Sequence, residues 1–373
     1  MKGLPAGRQG RGGGLLQVKK MTIDKLTYEA TELLKELISI ESLSGQEDKT
    51  ATAIEKFFAR HNVKTFRKGN NVWAKNANFD PAKQTILLNS HHDTVKPNAG
   101  WTLNPFQPTV IEGKLHGLGS NDAGGALVSL IAAFLHFNAQ KSLKHNFIIA
   151  ASTEEENSGK NGVVFVLPEL GKIDFAIVGE PTEMKMAIAE KGLMVLDCTA
   201  KGKAGHAARD VGENAISNAI KDIEWFHSYK FPKVSESLGP VKMSVTIINA
   251  GTQHNVIPDT CKFTVDVRSI DSYTNEEIVE IIRKHVKCEV VPRSTRLNAS
   301  GIDKNHLLVQ TAKKLGIETF GSATSSDMPL LKLPAVKMGP GKSERSHTAD
   351  EFIWLKEIEE GVKIYVKLLS AIL

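Results

Sequence analysis

Two histidines and an aspartate close a short apolar run at residues 85–95, TILLNSHHDTV. Residues 85–89 are apolar and β-branched at the start, the pattern of a buried strand. Side chains alternate faces along a strand, so His91 and Asp93 project to one side and His92 to the other. An imidazole and a carboxylate then share the carboxyl edge of a strand, where open α/β sheets place their active sites. A carboxylate beside a histidine is also how a metal-binding imidazole is oriented and kept basic. The residues assign His91 to a metal and Asp93 to its support.

Four further acid or histidine sites fall where strands end or loops turn. Asp122 follows GLGSN and opens a helical stretch; taken alone it reads as an N-cap. Glu154, Glu155 and Glu156 follow the run NFIIAAS, and taken alone they read as a solvated acidic turn. Three acids crowded at the carboxyl end of a buried strand repel one another unless cations sit there. Glu180 ends a third buried run, and His347 precedes the last helix. Each is weak singly, but successive strand ends of one sheet converge. Two histidines, several carboxylates and no cysteine suit zinc, cobalt or manganese. Two metals need one shared carboxylate and about two further ligands each.

The elements that must position these residues are legible in outline. Helical spacing of apolar residues covers 26–40 and 47–62, with a hairpin at 63–76. A short strand is expected within 109–116 and a helix over 122–140. Buried strands are expected at 85–89, 146–152 and 174–178. Helices alternating with buried strands predict an α/β fold with a mainly parallel sheet flanked by helices. After about residue 185 the texture changes. Alternating strands at 192–201, 241–249 and 262–268 are interleaved with helices at 213–229 and 275–286, the order of a small α+β, ferredoxin-like unit. The α/β texture then returns, with a helix at 305–315, a strand at 335–338 and a helix at 350–373. A second domain at 189–297 is thus inserted between catalytic portions at 21–188 and 298–373.

Composition narrows the function. The formal charge of +5 arises in residues 1–20, which hold five basic side chains and no acidic one. The body is neutral, which excludes a global nucleic-acid or membrane-surface role. No apolar run reaches the ~18 residues of a membrane span. Residues 1–20 are glycine-rich, lack a secretory core and read as a disordered extension, with Met21 a candidate start. Cys198, Cys261 and Cys288 lie far apart with no CxxC pair, which reads as inert thiols in a reducing, cytoplasmic compartment.

From about residue 23 to the C-terminus, the chain resembles the dinuclear-zinc amidohydrolases that include acetylornithine deacetylase, succinyl-diaminopimelate desuccinylase, aminoacylase and glutamate carboxypeptidase. The matching motifs are HHDTV (91–95), GLGSND (117–122), TEEE (153–156), GEPT (179–182), GKAGHA (202–207), NVIPD (255–259) and SHTADE (346–351). In this order and spacing the set is specific. Leu118 departs from it, standing where the family usually has arginine, but touches no assigned ligand. The resemblance implies that His91 and Glu180 hold one metal, Glu155 and His347 the other, and Asp122 bridges them with a cis peptide bond after it. It makes Glu154 the general base and Asp93 the support of the metal site. His206 would reach a neighbouring subunit's site and stabilise the oxyanion, which implies a homodimer formed through the inserted domain, also a lid. Asn255 and Arg268 would hold substrate, with residues 321–327 lining its pocket. The implied reaction is hydrolysis of an N-acyl-amino acid: acetylornithine or acetylcitrulline first, a succinyl-diaminopimelate or a di- or tripeptide substrate as alternatives. A non-catalytic relative would lack a ligand or the base, and here none is missing.

Overall fold

The computed structural model describes residues 21–209 and 211–373; the expectation of disorder over 1–20 lies outside the described residues. The strands Asn146–Ser152, Thr85–His91, Phe175–Val178 and Ala335–Lys337 lie side by side and run parallel. The first three are buried along their whole length, as strands covered on both faces must be. Their alternation is visible in the core. Ile86 and Leu88 pack into one apolar cluster and Leu87 into another across the sheet. The first cluster is built by the helices Ile23–Ile38, Gly125–Asn138 and Leu355–Ile372. The second rests on the short helices Val163–Leu170 and Met328–Leu331.

Among the described residues the sheet extends to nine strands. The hairpin Thr65–Lys68 and Asn71–Lys75 joins one edge antiparallel. Met186–Glu190, flanked by Ser300–Gly301 and Thr319–Ser322, forms the other. These last three strands and the helix Val163–Leu170 were not legible in the sequence. The strands are short and carry little β-branched signal, and Pro168 argues against a helix until tertiary packing overrides it. The final helix starts at Leu355, not near 350, because Phe352–Trp354 is a strand paired with Lys114–His116.

The second unit follows the expected order. Met194–Lys201, Ala215–Ser228, Lys242–Ala250, Thr260–Arg268, Asn275–Arg283 and Glu289–Pro292 run strand, helix, strand, strand, helix, strand. The strands form a separate antiparallel sheet with Thr260–Arg268 and Met194–Lys201 at its centre. Burial alternates along Met194–Lys201, since helices cover one face only. The unit has its own apolar cluster, in which Cys198, Cys261 and Cys288 are buried and free. No helix among the described residues is long and apolar enough to cross a membrane.

Candidate metal centre

The parallel pairing fixes how three strand ends meet. His91 stands opposite Ser152 and Asn89 opposite Val178, so His91, the acids after Ser152 and Glu180 leave the same sheet edge together. Asp122 reaches them from the turn before the helix Gly125–Asn138. That residue is no N-cap: the position before the helix is Gly124, no side chain caps it, and the Asp122–Ala123 bond is cis. His347 comes from the loop after Ser343–Arg345, held at φ 60°, a left-handed value unusual for a non-glycine residue and typical of functional sites.

The Nε2 atom of His91 lies 3.5 Å from Asp122 Oδ1, 3.8 Å from Glu180 Oε1 and 4.0 Å from Glu155 Oε2. It is buried and hydrogen-bonds to none of them. Those separations are too long for hydrogen bonds but leave room for a cation among the oxygens. On the other side, His347 Nε2 is 2.9 Å from Glu156 Oε2 and 3.6 Å from Asp122 Oδ2. Two potential cation groups result, His91–Asp122–Glu180 and Asp122–Glu156–His347. Asp122 turns one oxygen to each, and the donor chemistry fits hard or borderline divalent cations.

This geometry points to candidate roles for the three acids shifted by one residue from that expectation. Glu156, not Glu155, joins Asp122 and His347. Glu155 faces the first group. Glu154 turns away at φ 53°, and its carboxylate accepts the Asn161 N–H at 3.0 Å and side-chain amide at 2.8 Å. The strand ends at Ser152, so strand alternation no longer governs which acid points where.

Asp93 does more than support His91. His91 Nδ1 sits 3.0 Å from Asp93's own carbonyl and 3.5 Å from its carboxylate. The carboxylate also accepts the Glu155 and Glu156 N–H groups, both at 3.2 Å, and the Ser44 hydroxyl at 2.7 Å. It therefore fixes the turn that presents both glutamates. Sequence reading gave no role to Glu351, although it closes the SHTADE motif. Its buried carboxylate accepts the N–H groups of Gly119, Asn121 and Asp122 and so holds the Asp122 turn. Burial first, then the Asp122 charge, push Glu351 up to about 8. His92 points away as expected, meeting Thr50 and the Asn70 carbonyl, and burial lowers it to about 4.

The three predicted substrate-side residues lie apart from this cluster. His206 and Asn255 share an exposed two-stranded ribbon, where Ala207 N–H reaches the Asn255 carbonyl at 3.0 Å. Arg268 points its guanidinium at Asp266, at 2.8 and 3.0 Å. Among the described residues, no hydrogen bond or ion pair joins any of the three to the cluster. Of residues 321–327, by contrast, Ser322, Thr324 and Ser325 do line a cavity of about 290 Å³ beside Glu155, Glu180 and His347.

Crowding sets the protons. Burial, then the charges of Glu180, Asp327 and Glu156, hold Glu155 well above the usual glutamate range. Burial and Asp122 do the same to Glu180. Burial would lower His91, but the adjacent carboxylates outweigh it and keep its pKa well above 6.5. The Glu156 hydrogen bond lifts His347 to about 9. Near neutral pH a cation must therefore displace a proton from His347 to use its nitrogen. Mn²⁺ affinity at the Asp122–Glu156–His347 group should rise up to about tenfold per pH unit and level off above about 9. Calorimetry across pH, in buffers of different ionisation enthalpy, reads both the slope and the released proton.

The sequence matches peptidase family M20/M25/M40 over residues 87–371. The succinyl-diaminopimelate desuccinylase of Psychromonas ingrahamii is 27% identical, spanning 91% of this chain and 98% of that protein. The acetylornithine deacetylase of Proteus mirabilis is 28% identical over 74% of this chain and 76% of its own length. A dinuclear metal binding peptidase of the M20 family from Bacillus subtilis superposes with a TM-score of 0.71 at 18% identity, covering 94% of this chain and 98% of that one, which speaks for the fold. The family match extends over most of the chain and takes in every residue of the paired cation groups, so the protein belongs to peptidase family M20/M25/M40 and is a metal-dependent amidohydrolase.

Proposed function

We propose that this protein removes a short acyl group from an N-acyl-amino acid, with acetylornithine or acetylcitrulline the favoured substrates. The observation that carries the reading is the pair of cation groups sharing Asp122, with the Glu155 carboxylate beside them. His91, Asp122 and Glu180 would hold one divalent cation, and Asp122, Glu156 and His347 the other; zinc fits best, with cobalt or manganese as substitutes. Held by these residues, divalent cations would supply a more acidic water and a polarised scissile carbonyl. Glu155 takes the proton from the attacking water and delivers it to the leaving amine. Asp93 keeps Glu155 and Glu156 in register through their N–H groups, and Glu351 does so for Asp122.

The cavity supports a small, uncharged acyl group. Hydroxyls of Ser322, Thr324, Ser325 and Ser346 line it. Among the described residues, its single lysine or arginine is Lys337, which is already paired with Glu190. A succinyl group adds a carboxylate that would need an unpaired cation. Desuccinylation is the second reading, favoured by the relative that aligns over nearly its whole length. A panel of acetylornithine, acetylcitrulline, succinyl-diaminopimelate and a tripeptide should show acetate release at least tenfold above succinate release in kcat/KM. The reverse order would reassign the acyl group.

Residues 189–297 serve as lid and dimer contact in this reading. The edge strand Lys242–Ala250 leaves Ile247 and Ile248 half exposed, and Val211 and Val256 are exposed near His206. Pairing with a second copy along that edge would cover these side chains and carry His206 towards the partner's site, where its ring can stabilise the oxyanion. Asn255 travels with it, and Arg268 would grip the substrate carboxylate on leaving Asp266. The buried thiols suit a cytoplasmic setting.

A further inference from the structure

The chain passes between the two sheets twice, outward at residues 190–193 and back at 297–301. The two crossings touch. Leu193 N–H meets the Leu297 carbonyl at 2.9 Å, and Ser300–Gly301 pairs with Ala189 and Glu190. Gly192 and Ser269 exchange backbone hydrogen bonds at 3.1 and 3.2 Å. A Cβ on Gly192 would fall 2.2 Å from Ser269 Oγ and 2.6 Å from the Leu297 oxygen, so only glycine lets these segments approach.

Under this crossing lies an ion pair almost free of solvent. Lys337 Nζ is 3.2 Å from Glu190 Oε2, with the two side chains 4% and 0% exposed. The ammonium also donates to the Thr324 carbonyl at 2.9 Å and hydroxyl at 3.0 Å. Glu190 accepts the Ser326 N–H at 3.1 Å, the Ser326 hydroxyl at 2.9 Å and the Ser300 hydroxyl at 3.3 Å. Lys191 N–H adds a bond to the Ser322 carbonyl at 3.0 Å. Residues 322–327 are thus tied to the crossing along one side. Their far end is tied to the catalytic sheet, where Asp327 accepts from Asn89 and Ser152 at 2.9 and 2.8 Å.

Burying two charges costs desolvation that their attraction only offsets, and apolar replacements of such pairs are often neutral. Stability therefore does not explain the pair. Its placement does: Lys337 holds Thr324 of the cavity wall, and Glu190 holds Ser326 of the same loop and Ser300 of the returning crossing. We propose that Lys337 and Glu190 are positioning residues that lock the wall at 322–327 to the inter-sheet crossing, so that the crossing sets which acyl group the cavity accepts. The selectivity clause rests on the amidase reading above; the lock itself does not.

Removing one partner would strand a buried charge, so the decisive variant is the neutral double, Lys337→Met with Glu190→Gln. Amide exchange at Ser326 and Ser322 should accelerate about tenfold or more, while amides within Gly125–Asn138 stay unchanged and metal content stays at the wild-type value. KM for the preferred N-acyl-amino acid should rise about tenfold with kcat within threefold, and discrimination between acetyl and succinyl substrates should fall by a similar factor. The two single variants should each raise KM, and the double should raise it no further than the larger single effect, as for groups acting as one unit. Wild-type exchange at residues 322–327 in the double variant overturns the lock. Faster exchange with unchanged selectivity overturns the link to substrate choice. Where wild type itself cleaves no N-acyl-amino acid, the amidase reading fails, and the exchange data alone decide the lock.

Discussion

Glu155→Gln should remain folded and cation-loaded while losing about three orders of magnitude in kcat, within the 10²–10⁴ typical of a removed general base. The amide is close in shape to the carboxylate but takes up no proton. Glu155 reaches within 4.0 Å of His91 Nε2, yet stands outside both cation groups, so its loss spares their ligands. Glu154→Gln is the control that separates the two neighbours. The Glu154 carboxylate is occupied by Asn161, so this variant should keep kcat within about threefold and lose at most about 1 kcal/mol of stability. Steady-state kinetics together with metal analysis decide the matter. A dead Glu154→Gln beside an active Glu155→Gln would return the base to the position the motif alone suggested.

Asp122→Ala should do more damage by another route. Asp122 is the one residue common to both cation groups, with Oδ1 towards His91 and Oδ2 towards His347. Without it each group keeps two donors, and the crowded Glu155, Glu156 and Glu180 lose the cations that would balance them. Bound metal should fall from two ions per chain to below one, and kcat/KM by about 10⁴ or more, as expected when the source of an activated water is removed. The apparent melting temperature in excess cation should move towards the chelator-treated value, because a ligand stabilises a fold only as far as it binds it. Two tightly held ions in Asp122→Ala, measured by elemental analysis, would show that the shared carboxylate is not the bridge.

How much of this was legible follows from the range over which each feature is decided. The continuous apolar runs at 85–89 and 146–152 announced buried parallel strands, and alternation along 192–201 announced a sheet covered on one face; both are local consequences of which faces are wet. His91, Asp122, Glu180 and His347 could be assigned because each sits at a strand end or in a distinctive turn, and a resemblance across seven motifs reinforced them. The candidate cation groups in the structure bring all four together through the shared Asp122, which is compatible with that assignment without testing it. The acids after Ser152 could not be resolved the same way. Beyond a strand's last residue no periodicity holds, and a left-handed Glu154 plus three hydrogen bonds to Asp93 decide which carboxylate faces the metal site.

The sequence by itself determined the two kinds of sheet, the order of their elements and the inventory of metal-capable side chains, because hydrophobic period and residue chemistry are written along the chain. Only the tertiary structure decided that Glu156 rather than Glu155 completes the second cation group, that Glu351 grips the Asp122 turn, and that Lys337 and Glu190, 147 positions apart, meet beneath the crossing. Such contacts depend on where distant backbone segments pass each other, and a local pattern carries no trace of that.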